Sequence, residues 1–352
     1  VQKFTKREGA WRLPFLNARG TAMLRAMPRL SARTYATLTT AVAWAVAAII
    51  VTGGAVRLTG SGLGCPDWPT CTQNRLVAEW DYHQMVEFAN RTVTGAVSVA
   101  VILAVLGAWV RVPRRRDLVI LACGLVAGVV GQIVLGGITV LFDLAPPLVM
   151  GHFILSLALL TVAVVLQHRA RRPDTPPVAV VPPRIVRLGR ILLVAASVVV
   201  VTGTMVTGAG PHGGDTHAKR LAIHPTEAAR IHGISVMVFL ALTVATLVLL
   251  RRTGTRPETM RRATTLLGVI VAQAAVGYTQ YFTGVPVVLV GIHIVGATAV
   301  WVAVVRFQLG LFHRAGAPET INQWPAPPQS NWNGRISAGA PTTRSAPTGL
   351  GS

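Results

Sequence analysis

Eight apolar stretches, each long enough to cross about 30 Å of hydrocarbon, run roughly over 36–56, 84–110, 118–140, 148–167, 191–208, 226–250, 263–283 and 287–309. Only 13% of the residues are charged, where a soluble domain carries roughly a quarter. The chain is expected to be an all-α integral membrane protein with eight transmembrane helices. Its net charge of +21 would suit nucleic acid, but the charge is distributed otherwise. Lys and Arg fall in alternate connections: eight up to Arg33, four in RVPRRR, six in 168–190, five in 251–262 and four from Arg306 onward. The opposite side keeps Arg57, Arg75, Arg91, Lys219, Arg220 and Arg230. The positive-inside rule then places both termini in the cytoplasm of a multi-pass cell-membrane protein. The charge is a topology signal, and no nucleic-acid role is expected.

The ends carry no recognisable site. Residues 1–35 are too charged for a signal peptide and read as a cytoplasmic arm. The stretch 310–352, rich in Pro, Ser, Thr, Gly and Asn, is expected to be a disordered cytoplasmic tail.

Between the ends the sequence is duplicated. VTGGAVRLTGSG at 51–62 matches VTGTMVTGAG at 201–210, both at the outer end of a span. Gln132 and His152 match Gln273 and His293 at an offset of 141 residues, and His83 and His224 share that offset. Four spans per half, an even number, start both halves on the same side. The expected architecture is a parallel repeat of two four-helix bundles, 36–168 with an outer loop at 57–83, and 191–309, joined by a cytoplasmic linker at 169–190.

Of nine histidines, three lie inside spans. His168 and His313 are at cytoplasmic ends, His212 and His217 in an outer loop, and His83 and His224 near the outer starts of spans two and six. His152, His232 and His293 each stand five or six residues into a span, roughly 8–9 Å below the outer surface at 1.5 Å per residue. A lone intramembrane histidine is more often a packing residue than a ligand. Two at equal depth on spans six and eight of one bundle suit the axial positions of a haem, so His232 and His293 are candidate haem ligands. Zinc is the alternative metal, but it takes four ligands and no Cys or carboxylate set stands nearby.

The corresponding pair in the first half is His152 and position 90, which is Asn. Asn90 lies in EFANR, between Glu87 and Arg91, with His83 seven residues upstream and therefore on the same helix face. An intramembrane carboxylate is functional by default. The plainer reading is an i,i+4 ion pair between Glu87 and Arg91. The half that lost a histidine carries the carboxylate, which suggests one cofactor that passes electrons and one site where chemistry occurs. Cys123 reads as a small buried hydrophobe. Cys65 and Cys71, in GSGLGCPDWPTC on the oxidising side, are expected to form a disulfide; two free thiols, or half of a metal site, are the alternatives.

TGGAVRLTGSGLGCPDWPTC, EFANR and the histidines at 152, 232 and 293 together resemble the haem A synthase family, over about residues 36–310. The resemblance implies oxidation of a methyl group on the haem O ring to a formyl group, by two successive hydroxylations and loss of water, with haem A serving terminal cytochrome oxidases. It implies a haem B between His232 and His293, a substrate site at His152 and position 90, matching outer-loop cysteines at Cys65 and Cys71, and a catalytic glutamate at Glu87. Family members lacking the histidine at position 90 keep one just upstream, as His83 is here. His83 is accordingly expected as the second ligand to the substrate haem. The competing account leaves His152 alone, with Asn90 facing an open coordination position. Glu87 would give or take a proton, and Arg57 and Arg91 are candidate partners for haem propionates, which a guanidinium meets bidentately. Haem O synthase and oxidase assembly factors are possible partners, besides membrane lipid and a second copy of the chain. The main rival is a dihaem cytochrome b-type electron carrier, which calls for histidine pairs in both halves. A transporter is the third class, and it calls for broken helices near the midplane.

Overall fold

A computed structural model describes residues 29–72 and 75–314. The arm up to residue 28 and the tail from residue 315 lie outside the described residues. Eight α-helices make up the described chain: α1 Ala32–Leu58, α2 Tyr82–Val110, α3 Arg116–Leu141, α4 Pro146–Ala170, α5 Pro183–Ala209, α6 Pro225–Arg252, α7 Pro257–Phe282 and α8 Val287–Gly310. Their starts follow local chemistry. Ser31 caps α1 by accepting from the Thr34 amide at 3.1 Å, and Asp81 caps α2 by accepting from the amides of His83 and Gln84. Proline occupies the first turn of α4, α5, α6 and α7, where its missing N–H has no helical partner to lose. Proline also begins α5 at Pro183, eight residues before its apolar stretch.

Seven of these helices are long and apolar enough to cross a membrane; α7 is the exception. The sequence leads one to expect eight spans, and α7 falls short because Gln273, Gln280, Tyr278 and several threonines dilute its apolar run. The chain is a multi-pass membrane protein. Large apolar side chains such as Trp44, Ile120, Val194 and Ile234 stay exposed on the helices, as surfaces facing lipid do.

Each helix packs on its sequence neighbours α1–α2, α2–α3, α3–α4, α5–α6, α6–α7 and α7–α8. In addition α1 packs on α4 and α8, α5 packs on α8 and α4, and α4 packs on α8. Exchanging α1 with α5 and α4 with α8 leaves this pattern unchanged. The turns match as well. Leu144 (φ 56°) and Val285 (φ 59°) hold the left-handed conformation at corresponding places after α3 and α7, an unusual one for bulky side chains. The Leu144 amide donates to Thr139 and the Val285 amide to Gln280, again 141 residues apart.

Two short strand pairs tie the inner ends together. β1 (Leu30–Ser31) pairs in parallel with β2 (Arg111–Val112), and β3 (Val178–Ala179) pairs antiparallel with β4 (Phe312–His313). The second pair joins the linker between the halves to residues placed by sequence reading in a disordered tail, so regular structure runs to His313. On α8 the Trp301 indole donates to the Leu157 carbonyl and to Thr161 Oγ1, at 3.1 and 2.9 Å, fastening α8 to α4. Outer denotes below the face bearing the loops 59–81, 142–145, 210–224 and 283–286.

Candidate haem-binding site

His232 on α6 and His293 on α8 face each other with ring centres 6.5 Å apart and planes at 74°. Two imidazoles sharing one metal through bonds of about 2.0–2.1 Å place their ring centres roughly 6–6.5 Å apart. The pair is spaced as axial ligands would be. Glycine makes room for each ring: a Cβ at Gly203 of α5 would lie 3.1 Å from His232 Cε1, and one at Gly277 of α7 would lie 3.1 Å from His293 Cε1. Thr202 Oγ1 lies 3.2 Å from His232 Nδ1 and bonds the Val198 carbonyl at 2.9 Å. With the hydroxyl proton on that carbonyl, Nδ1 donates to Thr202 and Nε2 carries the free lone pair, the arrangement of a ligating histidine. Gln273 Nε2 donates to the His293 carbonyl at 2.9 Å, which fixes that turn of α8. His293 Nδ1 is buried without a partner. Among the described residues no three His, Cys, Asp or Glu side chains converge as a metal-holding group, so the four-ligand zinc set has no counterpart. A haem needs only the two axial donors, and these residues fit it.

The first half repeats the arrangement with one change. Gln132 Nε2 donates to the His152 carbonyl at 3.2 Å, and a Cβ at Gly136 would lie 3.2 Å from His152 Cε1. His152 Nδ1 is buried without a partner, as in His293. Where Thr202 meets His232, Thr52 Oγ1 meets Asn90 Oδ1 at 2.8 Å. Asn90 therefore stands in the place of His232, tied to the matching threonine. Its side chain is shorter than imidazole, and a Cβ at Gly53, the counterpart of Gly203, would meet nothing within 4 Å.

His83 stands under the outer loop. Its Nδ1 lies 3.0 Å from Ser61 Oγ and its ring makes an edge contact with Tyr82. A Cβ at Gly64 would strike the His83 carbonyl, so the loop backbone presses on this turn of α2. Nδ1 of His83 thus holds the outer loop, as Nδ1 of His232 is held by Thr202.

Glu87 and Arg91 hold the same loop. Glu87 is buried; its Oε1 accepts from Arg91 Nη2 at 2.7 Å and Nε at 3.2 Å, and its Oε2 accepts from the Cys65 amide at 2.7 Å. Arg91 also donates to the carbonyls of Cys65, Asp67 and Thr70. Every nitrogen of its guanidinium is in use, so Arg91 is spent on the loop and has no donor left for a propionate. Cys65 and Cys71 are joined as a disulfide, and the ring they close sits on Glu87. The i,i+4 ion pair is present, yet it is part of a larger clamp that sequence spacing alone did not suggest. Arg57, the other candidate, points away toward the Thr207 carbonyl on α5.

Residues 36–212 match the COX15-CtaA family, described as cytochrome oxidase assembly protein. The match takes in half of the chain. This protein belongs to that family. The chain is 31% identical over 111 residues to the heme A synthase of Lysinibacillus sphaericus, covering 31% of this chain and 36% of that protein. It is 32% identical over 130 residues to the heme A synthase of Shouchella clausii, 37% and 43% of the two lengths. With the heme A synthase of Exiguobacterium sibiricum it is 28% identical over 167 residues, 46% and 55%. The chain thus spans between about a third and just over half the length of these relatives. The family match contains Glu87, Asn90, Arg91, His152 and the disulfide loop, together with Thr202 and Gly203. It ends before His232 and His293, whose assignment rests on the geometry.

Sequence reading missed Thr52, Thr202 and the ring-backing glycines. The signal lay in the repeated Val-Thr-Gly at 51–53 and 201–203, read as a sign of duplication and not as a threonine set behind a ligand.

Proposed function

We propose that the protein is a haem A synthase, a membrane oxidoreductase that oxidises a methyl group of haem O to a formyl group. The observation carrying this reading is the unequal pair of sites, Thr202 with His232 facing His293 against Thr52 with Asn90 beside His152. A second reading as a dihaem electron carrier needs two equivalent pairs, and Asn90 breaks the equivalence.

The two sites belong to two four-helix bundles related as a parallel repeat, α1–α4 and α5–α8, which the symmetric packing and the matching turns support. In the second bundle His232 and His293 hold haem B, which when bound supplies electron transfer to the substrate site. Thr202 fixes the His232 tautomer, and Gln273 sets the His293 turn.

In the first bundle His152 binds the substrate iron from one side. Asn90, held by Thr52 near the open space at Gly53, would offer its amide to a polar species entering there. Glu87 carries the proton at its carboxylate, one helical turn outward of Asn90, and Arg91 together with the disulfide loop keeps water from it. Both termini lie in the cytoplasm of a cell-membrane protein. Haem O synthase and oxidase assembly factors are its natural neighbours, as supplier of substrate and consumers of product.

Asn90→His tests the reading. The new imidazole should fill the space beside Gly53, pair with His152 and convert the first site to a second six-coordinate low-spin haem. An unaltered spectrum would show that position 90 does not face the substrate iron.

A further inference from the structure

Arg57, in the last turn of α1, reaches from the first half to the second. Its Nη2 donates to the Thr207 carbonyl of α5 at 2.6 Å, while its Nε is buried without a partner. Arg220 approaches from the loop after α5. Its guanidinium lies directly over Gly213, where any side chain would collide with it, and its Nη2 donates to the Pro211 carbonyl at 2.7 Å. Gly214, the next residue, packs on Arg57: a Cβ there would lie 3.6 Å from Arg57 Cγ. The two arginines therefore flank adjacent glycines of one loop.

Among the described residues no carboxylate forms an ion pair with either arginine. Asp215, next in the loop, is turned to His217 at 3.3 Å and to the Thr216 hydroxyl. Two neighbouring cations and a buried unused N–H cost free energy unless an anion meets them.

Their position identifies the anion. Thr207 lies one turn outward of Gly203, the glycine backing His232. On the other side, Gly54 packs on Ile294, beside His293, and Leu58 packs on Gly291. The Arg57 guanidinium thus stands about one turn outward of both imidazoles, although Arg57 belongs to the other half of the chain. We infer that Arg57 and Arg220 together bind a porphyrin carboxylate of the haem held by His232 and His293. The inference rests on the haem-binding reading of the second half, and it gives Arg57, a propionate candidate from sequence, to that haem. A guanidinium presents paired donors that match a carboxylate, and such charge-assisted bonds are about twice as strong as neutral ones. Here the seam between the halves recognises the cofactor, so a residue of the substrate half fastens the electron-carrying haem.

The test compares haem uptake by the full-length protein, produced in haem-deficient cells, using iron protoporphyrin as the free diacid and as its dimethyl ester. Uptake is followed by absorbance, independently of any turnover. The wild type should bind the diacid on the order of ten- to a hundredfold more tightly than the ester. Arg57→Leu should bring that ratio close to one. Arg220→Leu, which leaves the Arg57–Thr207 bond intact and changes an exposed residue, should lower it severalfold. His293→Ala should remove the site at which the ratio is read. An unchanged ratio in Arg220→Leu and Arg57→Leu would overturn the proposal. A wild type that binds both forms equally, yet loses uptake in His293→Ala, would overturn the arginine clamp and leave the haem-binding reading standing. A wild type that takes up neither form would overturn that reading and the clamp with it.

Discussion

At the scale of single residues, the second site depends on two imidazoles whose ring centres stand 6.5 Å apart. His232→Ala and His293→Ala each remove one axial donor, so each should abolish the low-spin haem B signal of the purified protein. Full haem B content and an unchanged spectrum in both variants would refute the assignment. Glu87 combines two jobs that a conservative change separates. Glu87→Gln keeps an oxygen for the Cys65 amide but gives up the ion pair and the titratable proton. Haem A formation should fall on the order of a hundredfold or more with haem still bound, whereas normal conversion would leave Glu87 only its role in the loop. The facing of His232 and His293 was legible in part from sequence, because the two stand at one depth on spans six and eight, and His152 lies 141 residues before His293. What spacing could not convey was direction. Seven residues place His83 and Asn90 on one helix face, but only the folded loop shows His83 bonded to Ser61 and Asn90 turned to Thr52.

At the scale of elements, the outer loop and the start of α2 form one unit. Ser61, Cys65, Asp67 and Thr70 are all held by His83, Glu87 or Arg91. Breaking a buried ion pair from one side costs about 3–5 kcal/mol because the remaining charge loses its partner. Arg91→Leu should therefore lower the thermal midpoint and expose the loop to protease, while Cys65→Ser should weaken activity and leave the haem B spectrum as it was. Limited proteolysis of membranes measures the first effect; a loop no more readily cut than in the wild type would contradict it. Alkylation separates the disulfide from free thiols: Cys65 and Cys71 should label only after reduction. The helices themselves were readable from hydropathy to within a few residues at most ends. The exceptions have physical causes, since proline fixed the early start of α5 and polar residues thinned the apolar run of α7.

At the scale of the whole molecule, the contacts among α1, α4, α5 and α8 keep their pattern when α1 is exchanged with α5 and α4 with α8. The order of the helices followed from sequence, since an apolar stretch marks each of the eight. The contacts that join the halves did not, because Arg57 to Thr207, Trp301 to Leu157 and β3 to β4 link residues more than 130 positions apart with no shared motif. Division of labour between the halves is the central claim, and pigment analysis tests it most directly. Membranes from cells that make haem O and express this chain are extracted, and the haems are separated and identified by mass. The wild type should yield haem A, His152→Ala should yield haem O with haem B retained, and His293→Ala should yield neither haem A nor a low-spin haem B signal. Haem O left unconverted by the wild type, with haem B bound in both halves, would contradict the account.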